Sequence, residues 1–204
     1  SEGNHSRLRP GDIKYRDLNG DGRIDDYDKM PIGFCDIPEI TYGFGGAVEW
    51  KGFDVSIFFQ GTARVSIFEE GSTIVPFTSG YKNNNGFLKG VMEDRWTIDN
   101  PNPNARYPRT IRPSDALDNN NTKKSSFWVR NAAFLRLKNA EIGYTFPKRW
   151  VEKMALQNLR LYVSGVNLLT WAPDVKLFDP ELGSGDGRKY PPTRVFNVGL
   201  NINF

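Results

Sequence analysis

Thr193-Arg194-Val195-Phe196-Asn197-Val198-Gly199-Leu200-Asn201-Ile202-Asn203-Phe204 is the stretch that decides the fold. From Phe196 on, every second residue is apolar (Phe196, Val198, Leu200, Ile202, Phe204), and Asn197, Gly199, Asn201 and Asn203 fill the gaps. Successive side chains of a strand point to opposite faces, so this run has one apolar and one polar face. It finishes on an aromatic residue, with no polar residue beyond to cover it. An apolar band facing outward, a polar inner face and aromatics at the rims describe a strand of a transmembrane β-barrel. The expected fold is all-β: an antiparallel transmembrane β-barrel segment, the C-terminal strands of a larger barrel, with long extracellular loops.

Working back along the chain, Asn158–Leu168 alternates in the same way, with Leu159, Leu161 and Val163 against Arg160, Tyr162 and Ser164. Ala133–Phe146 alternates too, but Leu135 and Leu137 share one phase while Ala140, Ile142, Tyr144 and Phe146 share the other. One extra residue restores a common face, so the slip predicts a β-bulge near Lys138-Asn139. Between these strands, Pro147–Gln157 reads as a turn or two of helix. Further upstream, Ile40, Tyr42, Phe44, Val48 and Trp50 oppose Thr41, Gly43, Gly45, Ala47 and Glu49. After Lys51-Gly52, Phe53, Val55, Ile57 and Phe59 oppose Asp54, Ser56, Phe58 and Gln60, which makes a β-hairpin. Glycines on the polar face predict a crowded lumen or a closely approaching backbone. Trp50 and Phe53 fall where an interfacial girdle belongs. In this arrangement Glu49, Asp54, Gln60, Asn197, Asn201 and Asn203 face the lumen.

The periodicity fails from Thr62 to about Asn131 and again from Thr170 to Pro192, where Asn, Pro and Gly accumulate. Lys89–Trp96 alone has helical spacing in the first of these. Barrels of this kind place long loops outside the cell and short turns in the periplasm. If Phe204 lies at the periplasmic rim, both long segments fall outside, and Lys51-Gly52 and Pro147–Gln157 fall inside. Aromatics in the loops (Phe77, Tyr81, Trp96, Tyr107, Trp171) either stack on a sugar or peptide or pin the loop to itself; packing on its own side chains is usual for such loops. Trp96, Tyr107 and Trp171 are the weak substrate-binding candidates.

Asp17-Leu18-Asn19-Gly20-Asp21-Gly22-Arg23-Ile24-Asp25-Asp26-Tyr27-Asp28 has the spacing of an EF-hand calcium loop. Side-chain oxygens of Asp17, Asn19, Asp21, Asp25 and Asp28 fall at loop positions 1, 3, 5, 9 and 12. Gly22 takes the sharp turn at position 6, and Arg23 offers its carbonyl at position 7. Calcium is hard and takes six to eight oxygens, which fits this set; the short Asp28 in place of Glu predicts weak affinity, roughly 10⁻⁴–10⁻³ M. Pro10-Gly11 before the loop, and Pro31, Gly33 and Pro38 after it, exclude the long flanking helices of a sensor. The cation is therefore expected to staple an extended surface loop. An Asp/Gly-rich turn that binds nothing is the simpler alternative.

The chain of 204 residues divides into 1–39, an extracellular loop segment carrying the calcium loop at 17–28, and 40–204, barrel strands with long loops at 62–131 and 170–192. With 38% hydrophobic residues and no apolar run of helical-span length, a transmembrane helix is excluded, whereas barrel strands hide their apolarity in alternation. The net charge of +3 and the lack of a basic cluster exclude a nucleic-acid partner. The single cysteine, Cys35, excludes an internal disulfide and reads as a buried small side chain. The single histidine, His5, sits in a polar opening segment, and no nucleophile triad, zinc set or P-loop is present, so the chain is not expected to be an enzyme. With Ser1 opening the sequence and five strands too few to close a barrel, it reads as a piece of a longer protein.

Several ordered runs resemble one family. Pro10-Gly11-Asp12-Ile13-Lys14-Tyr15-Arg16-Asp17-Leu18-Asn19-Gly20-Asp21-Gly22-Arg23-Ile24-Asp25, Ile40-Thr41-Tyr42-Gly43-Phe44, Phe58-Phe59-Gln60-Gly61, Arg95-Trp96-Thr97, Tyr107-Pro108-Arg109, Phe134-Leu135-Arg136-Leu137-Lys138-Asn139, Gly143-Tyr144 and Gly165-Val166-Asn167-Leu168 are similar to the C-terminal region of SusC/RagA-type TonB-dependent outer-membrane transporters. The resemblance covers nearly the whole chain. It implies a 22-stranded plugged barrel, a SusD-like surface lipoprotein that lids it, and import of oligosaccharides or peptides driven by the TonB complex. It also implies an integral position in the outer membrane of a Gram-negative cell, surrounded by lipid, with the calcium loop extracellular. A reading of a different class is a secreted, soluble calcium-binding β-sandwich that binds carbohydrate or protein. The two differ in where the apolar faces go: outward to lipid, or together into one core.

Overall fold

A computed structural model describes residues 8–71, 74, 88–110, 120–185 and 187–204. His5, Phe77, Tyr81 and the Asn83–Gly86 run lie outside the described residues. The chain forms two compact units. One draws on Cys35–Ser66, Asn131–Leu182 and Lys189–Phe204, the other on Ser1–Phe34, Ile67–Arg130 and Gly183–Arg188.

The first of these units is a single antiparallel sheet. In chain order the strands are β1 (Ile40–Trp50), β2 (Phe53–Ala63), β3 (Ser66–Phe68), β4 (Val129–Asn131), β5 (Phe134–Thr145), β6 (Asn158–Trp171) and β7 (Val195–Asn203), with short helices α1 (Lys89–Glu93) and α2 (Lys148–Val151). The five long strands lie in the order β1-β2-β5-β6-β7, and β3 and β4 pair separately. Lys51 (φ 50°) and Gly52 (φ 90°) make the tight β1–β2 turn, which needs two left-handed residues and so favours the glycine. The Gly52 carbonyl accepts the Thr145 N–H at 2.7 Å, tying this turn to the end of β5. β6 runs to Trp171, three residues further than its alternation indicates.

Register explains why alternation could be read so directly. Paired residues share a face. Val48, Val55, Ile142, Val163 and Val198 therefore form one apolar row across all five strands, and Trp50, Phe53, Tyr144, Leu161 and Leu200 form the next. The Phe44 and Phe59 rings stack at 5.2 Å on this face, and those of Phe53 and Tyr144 meet at 4.6 Å, tilted by 46°. The parity slip in β5 is the predicted bulge: Phe58 pairs with Asn139 and Phe59 with Leu137, leaving Lys138 unpaired. Across from it, β6 carries an irregularity of its own at Asn167, whose φ is 55°. The outcome is that Leu135 and Leu137 join Ala140, Ile142 and Tyr144 on one side. Pro147–Gln157 contains α2 and a 3-10 turn, Glu152–Met154, stopped by Ala155 in the left-handed region.

The other unit is built from the segments without alternation. Its core includes Ile13, Ile67, Ile74, Val91, Tyr107 and Trp128. The helix expected over Lys89–Trp96 ends at Glu93, because Asp94 leaves helical dihedrals and Arg95 forms a bridge with Tyr107. The Trp96 N–H donates to the Tyr107 carbonyl at 2.9 Å and the Tyr107 N–H to the Asp94 carbonyl at 3.0 Å, so strand-like pairing displaces the last helical turn. Cys35, expected to be buried, is exposed; its Sγ lies 3.4 Å from Asp36 Oδ1. It belongs to an extended stretch held by its backbone, whose Cys35 carbonyl accepts the Ser66 N–H. Core packing does not involve the thiol.

Candidate functional site

The polar face of the sheet is the surface that a barrel would turn inward, and its geometry is set by glycines. Arg160 on β6 reaches across β5 to Asp54 on β2, donating from Nε to Oδ1 at 3.0 Å and from Nη2 to Oδ2. The same Nη2 donates to Glu141 Oε1 at 2.6 Å. This span passes over Gly143, where a Cβ would sit 2.5 Å from Nη2. Only glycine lets the guanidinium lie flat against the wall. Tyr162 lies over Gly199 in the same fashion, and Phe58 over Gly43 and Gly45. Three large inward side chains thus lie flat along neighbouring strands. Glu49 and Asp54 are direct partners, and Gln60, Asn197, Asn201 and Asn203 share their face, as alternation predicts.

At the end of the sheet away from the Lys51-Gly52 turn, Arg136 is 1% exposed. Its Nη2 donates to both oxygens of Asp179, at 2.7 and 2.6 Å, and its Nη1 to Glu181 Oε2 at 2.5 Å. Charge-assisted, forked bonding of this kind fixes geometry as well as adding energy. It clamps the segment that follows β6 onto the polar face, beside a cavity of about 250 Å³ lined by Asn167, Thr170, Val175, Phe178 and Arg194 among others.

In the other unit Glu69 is fully buried and takes Arg130 Nε at 2.8 Å and Arg106 Nη2 at 3.1 Å. Asp12 pairs with Arg109 at 2.5 Å, and the Asn120 and Asn121 amides close on the Ile13 backbone at 2.7 and 2.9 Å. Buried charges that each meet a partner mark a segment ordered by its own polar network.

Most residues of the 17–28 loop are exposed, with Asp17, Ile24 and Asp28 half-buried, and the loop is folded by its own carboxylates. Asp17 takes the N–H groups of Gly20 (2.6 Å) and Gly22 (2.8 Å), Asn19 that of Asp21, Asp21 that of Arg23, and Asp25 that of Tyr27. Asp28 reaches back to the N–H groups of Leu18 (2.7 Å) and Asp25 (2.8 Å). These bonds, first that from Asp25 and then that from Leu18, hold the Asp28 carboxyl below its ordinary pKa. Gly20 and Gly22, both at φ 79°, make the turns that positions 4 and 6 require. The donor chemistry and turn geometry fit a hard cation. Among the described residues, however, no three His, Cys, Asp or Glu side chains converge as a ligand group, so a cation would have to draw these oxygens together.

Trp96 and Tyr107 are neighbours through their backbone bond, but the rings of the three aromatic candidates are each engaged elsewhere. Tyr107 is 2% exposed and packs against Trp128 at 6.3 Å, so its ring is committed to the interior. Trp96 covers Gly11, whose missing Cβ makes room for the indole. Trp171 pairs with Leu135 on the outward face, its ring 6.4 Å from Phe59, which puts it at the rim and away from the lumen.

No protein-family model matches the chain. Its sequence is 32% identical over 211 residues to TonB-dependent receptor P26 of Formosa agariphila, covering 95% of this chain and 20% of that protein. TonB-dependent receptor P3 of the same organism is also 32% identical, over 96% of this chain. TonB-dependent receptor SusC of Bacteroides thetaiotaomicron is 25% identical over 96% of the chain. The chain belongs to the SusC/RagA-type TonB-dependent receptors. It spans about a fifth of the length of the curated receptors it matches. The solved RagAB peptide transporter shares the fold, with a TM-score of 0.65 at 24% identity over 89% of this chain and 19% of that one. The same importer in its closed-closed state also gives 0.65, at 22% identity over 92% of this chain and 20% of that one.

Receptors of this family are outer-membrane proteins and are not enzymes. In a receptor barrel the five-stranded sheet is a length of wall, and its open edges at β1 and β7 follow from its being part of a larger sheet. The soluble sandwich is set aside: its apolar faces would have to converge, whereas here they form one outward surface. The alternation left the receptor's ion pairs unnamed. Arg160 and Arg136 stand at inward positions between apolar neighbours, which is a visible signal, but their partners lie up to 106 residues away.

Proposed function

We propose that the chain forms part of the barrel wall of a transporter that imports oligosaccharides or peptides across the outer membrane, working with a SusD-like lipoprotein and the TonB complex. The observation that carries this reading is the division of one sheet into a continuous apolar face and a polar, glycine-slotted, ion-paired face. Similarity to the TonB-dependent receptor SusC and to the RagAB peptide transporter supports import, and the second of these favours a peptide as one of the two cargo classes. Deleting the full-length gene should abolish uptake of one labelled cargo class, oligosaccharide or peptide, and the tagged protein should co-purify with a surface lipoprotein. Unchanged uptake of both classes, with no lipoprotein recovered, would refute it.

The loop at 17–28 faces the outside in this reading and takes Ca²⁺ on Asp17, Asn19, Asp21, Asp25, Asp28 and the Arg23 carbonyl, stiffening the mouth. Terbium substituted for calcium should luminesce through Tyr27 in the full-length protein, and Asp21→Ala should remove the signal while the barrel stays folded. Protease sensitivity of the loop that is the same with and without chelator would sink the idea.

A further inference from the structure

The short connections of the sheet carry a surface that neither the wall nor the transport reading uses. Lys51 occupies the β1–β2 turn, and Lys148, Arg149 and Lys153 lie in the β5–β6 connector; all four are exposed, and none has an ion-pair partner among the described residues. Glu152 is the one acid of that connector. Aromatics run alongside. Phe53 meets Tyr144 at 4.6 Å, Tyr144 meets Phe146 at 5.1 Å, Phe146 meets Trp150 at 6.5 Å, and Lys51 Nζ lies 4.7 Å over the Trp50 ring. Trp50 and Trp150 are both exposed. Amphipathic rings at this level mark the membrane interface, and unpaired cations there meet lipid phosphates.

A second observation lies further along the same outward face. Small residues meet where Ala140 pairs with Gly165, next to Ile57 and Phe196. Leu168 lies over Gly165, and beside it an apolar hollow of about 270 Å³ remains, lined by Val55, Ile57, Ala140, Ile142, Val163 and Phe196 among others. Four residues separate Phe53 at the rim from Ile57 in the hollow, about 13 Å along the strand, within reach of one acyl chain whose headgroup sits at the rim.

We propose that this rim and hollow form a binding site for one anionic phospholipid of the periplasmic leaflet, its phosphate held by Lys51, Lys148, Arg149 and Lys153 and one acyl chain seated over Ala140, between Ile57, Ile142 and Phe196. Charge selects the headgroup and shape holds the chain. A zwitterionic lipid offers the same tail but no net charge, so it discriminates the two contributions. The site sits on the wall and rests only on the barrel orientation, so it stands whichever cargo is carried.

The test uses the full-length protein in detergent, with native mass spectrometry of retained phosphatidylglycerol and phosphatidylcholine added separately. Phosphatidylglycerol should be retained at least tenfold more tightly, and each cation removed should cost roughly fivefold. The combined variant K51Q/K148Q/R149Q/K153Q should bring phosphatidylglycerol down to the level of phosphatidylcholine. Ala140→Phe, which fills the hollow without changing charge, should weaken both lipids together. Heat-modifiable migration on gels shows that each variant has folded. Equal retention of the two lipids by the unaltered protein would overturn the proposal, as would full retention of phosphatidylglycerol by the charge variant. Unchanged uptake of both cargo classes in the deletion strain, with lipid retention by the purified protein intact, would strike the transport reading alone.

Discussion

An arginine placed at three positions of β2 tests which face of the sheet meets lipid. Ile57 faces outward, and four residues at about 3.3 Å each, on a strand tilted about 40°, place it roughly 10 Å above Phe53. That is close to the middle of an apolar band about 25 Å tall, where an arginine costs about 2–4 kcal/mol. Ile57→Arg should therefore lower the folding equilibrium constant roughly 30- to 900-fold. Ser56, one residue away, faces inward opposite Glu141. Ser56→Arg should cost under about 1 kcal/mol, because the new charge meets a carboxylate in a polar lumen. Phe53→Arg, at the rim, should add only about 0–1 kcal/mol for its charge, plus the lost ring contact with Tyr144. Urea titration of the full-length protein folded into lipid vesicles reads all three as midpoint shifts. If Ser56→Arg costs as much as Ile57→Arg, the assignment of faces is wrong.

Three further outcomes follow from individual contacts. Gly199→Val drives a side chain into the Tyr162 ring and should cost about 1–3 kcal/mol in the same titration; combining it with Tyr162→Ala should recover most of that loss. Arg136→Ala leaves Asp179 and Glu181 without their cation and should cost about 2–3 kcal/mol, below the full value for buried pairs because the two acids are 18% and 35% exposed. Its readout is faster proteolysis within the segment after β6. The Asp28 carboxyl is held low by backbone N–H groups, so its contribution to loop order is present above the ordinary carboxylate pKa and lost as pH falls through its own lowered value. Protection of the Leu18 and Asp25 amides, taken relative to their intrinsic base-catalysed exchange rate at each pH, should hold from pH 6 to 8 and fall only under acid, and loss of protection on the alkaline side would contradict this assignment.

The strands were legible because each residue reports its own face. Phe196 to Phe204 needs no knowledge of its neighbours to alternate, and even the β5 bulge shows as a change of phase between Leu137 and Ala140. Parity is local; partnership is not. Nothing near Arg160 in the sequence indicates that it will cross Gly143 to reach Asp54, and Glu69 gives no sign that it will end fully buried between Arg106 and Arg130. Tyr107 and Trp171 show the same limit in the aromatic candidates, since an aromatic in a loop looks alike whether it is buried at 2% or exposed at a rim. The loop at 17–28 lies between these cases: its spacing predicts the turn geometry that forms, while the convergence of its oxygens depends on a cation.

Glycine in a strand costs roughly 0.5–1 kcal/mol relative to alanine, and the sheet carries Gly43, Gly45, Gly143 and Gly199 on its inner face. Each lies beneath a large side chain from an adjacent strand, so the apolar or guanidinium surface laid over the backbone offsets the lost side chain. The arrangement has a geometric consequence for a pore. Phe58, Tyr162 and Arg160 would project into the lumen if the neighbouring strand carried Cβ atoms there. Laid flat, they give the inner wall bulk and charge near the backbone. On the outer face Gly165 is used in the same way, with Leu168 of its own strand lying over it, while Ala140 beside it lines the apolar hollow. Glycines on both faces of the wall are thus slots into which a larger neighbour lies flat.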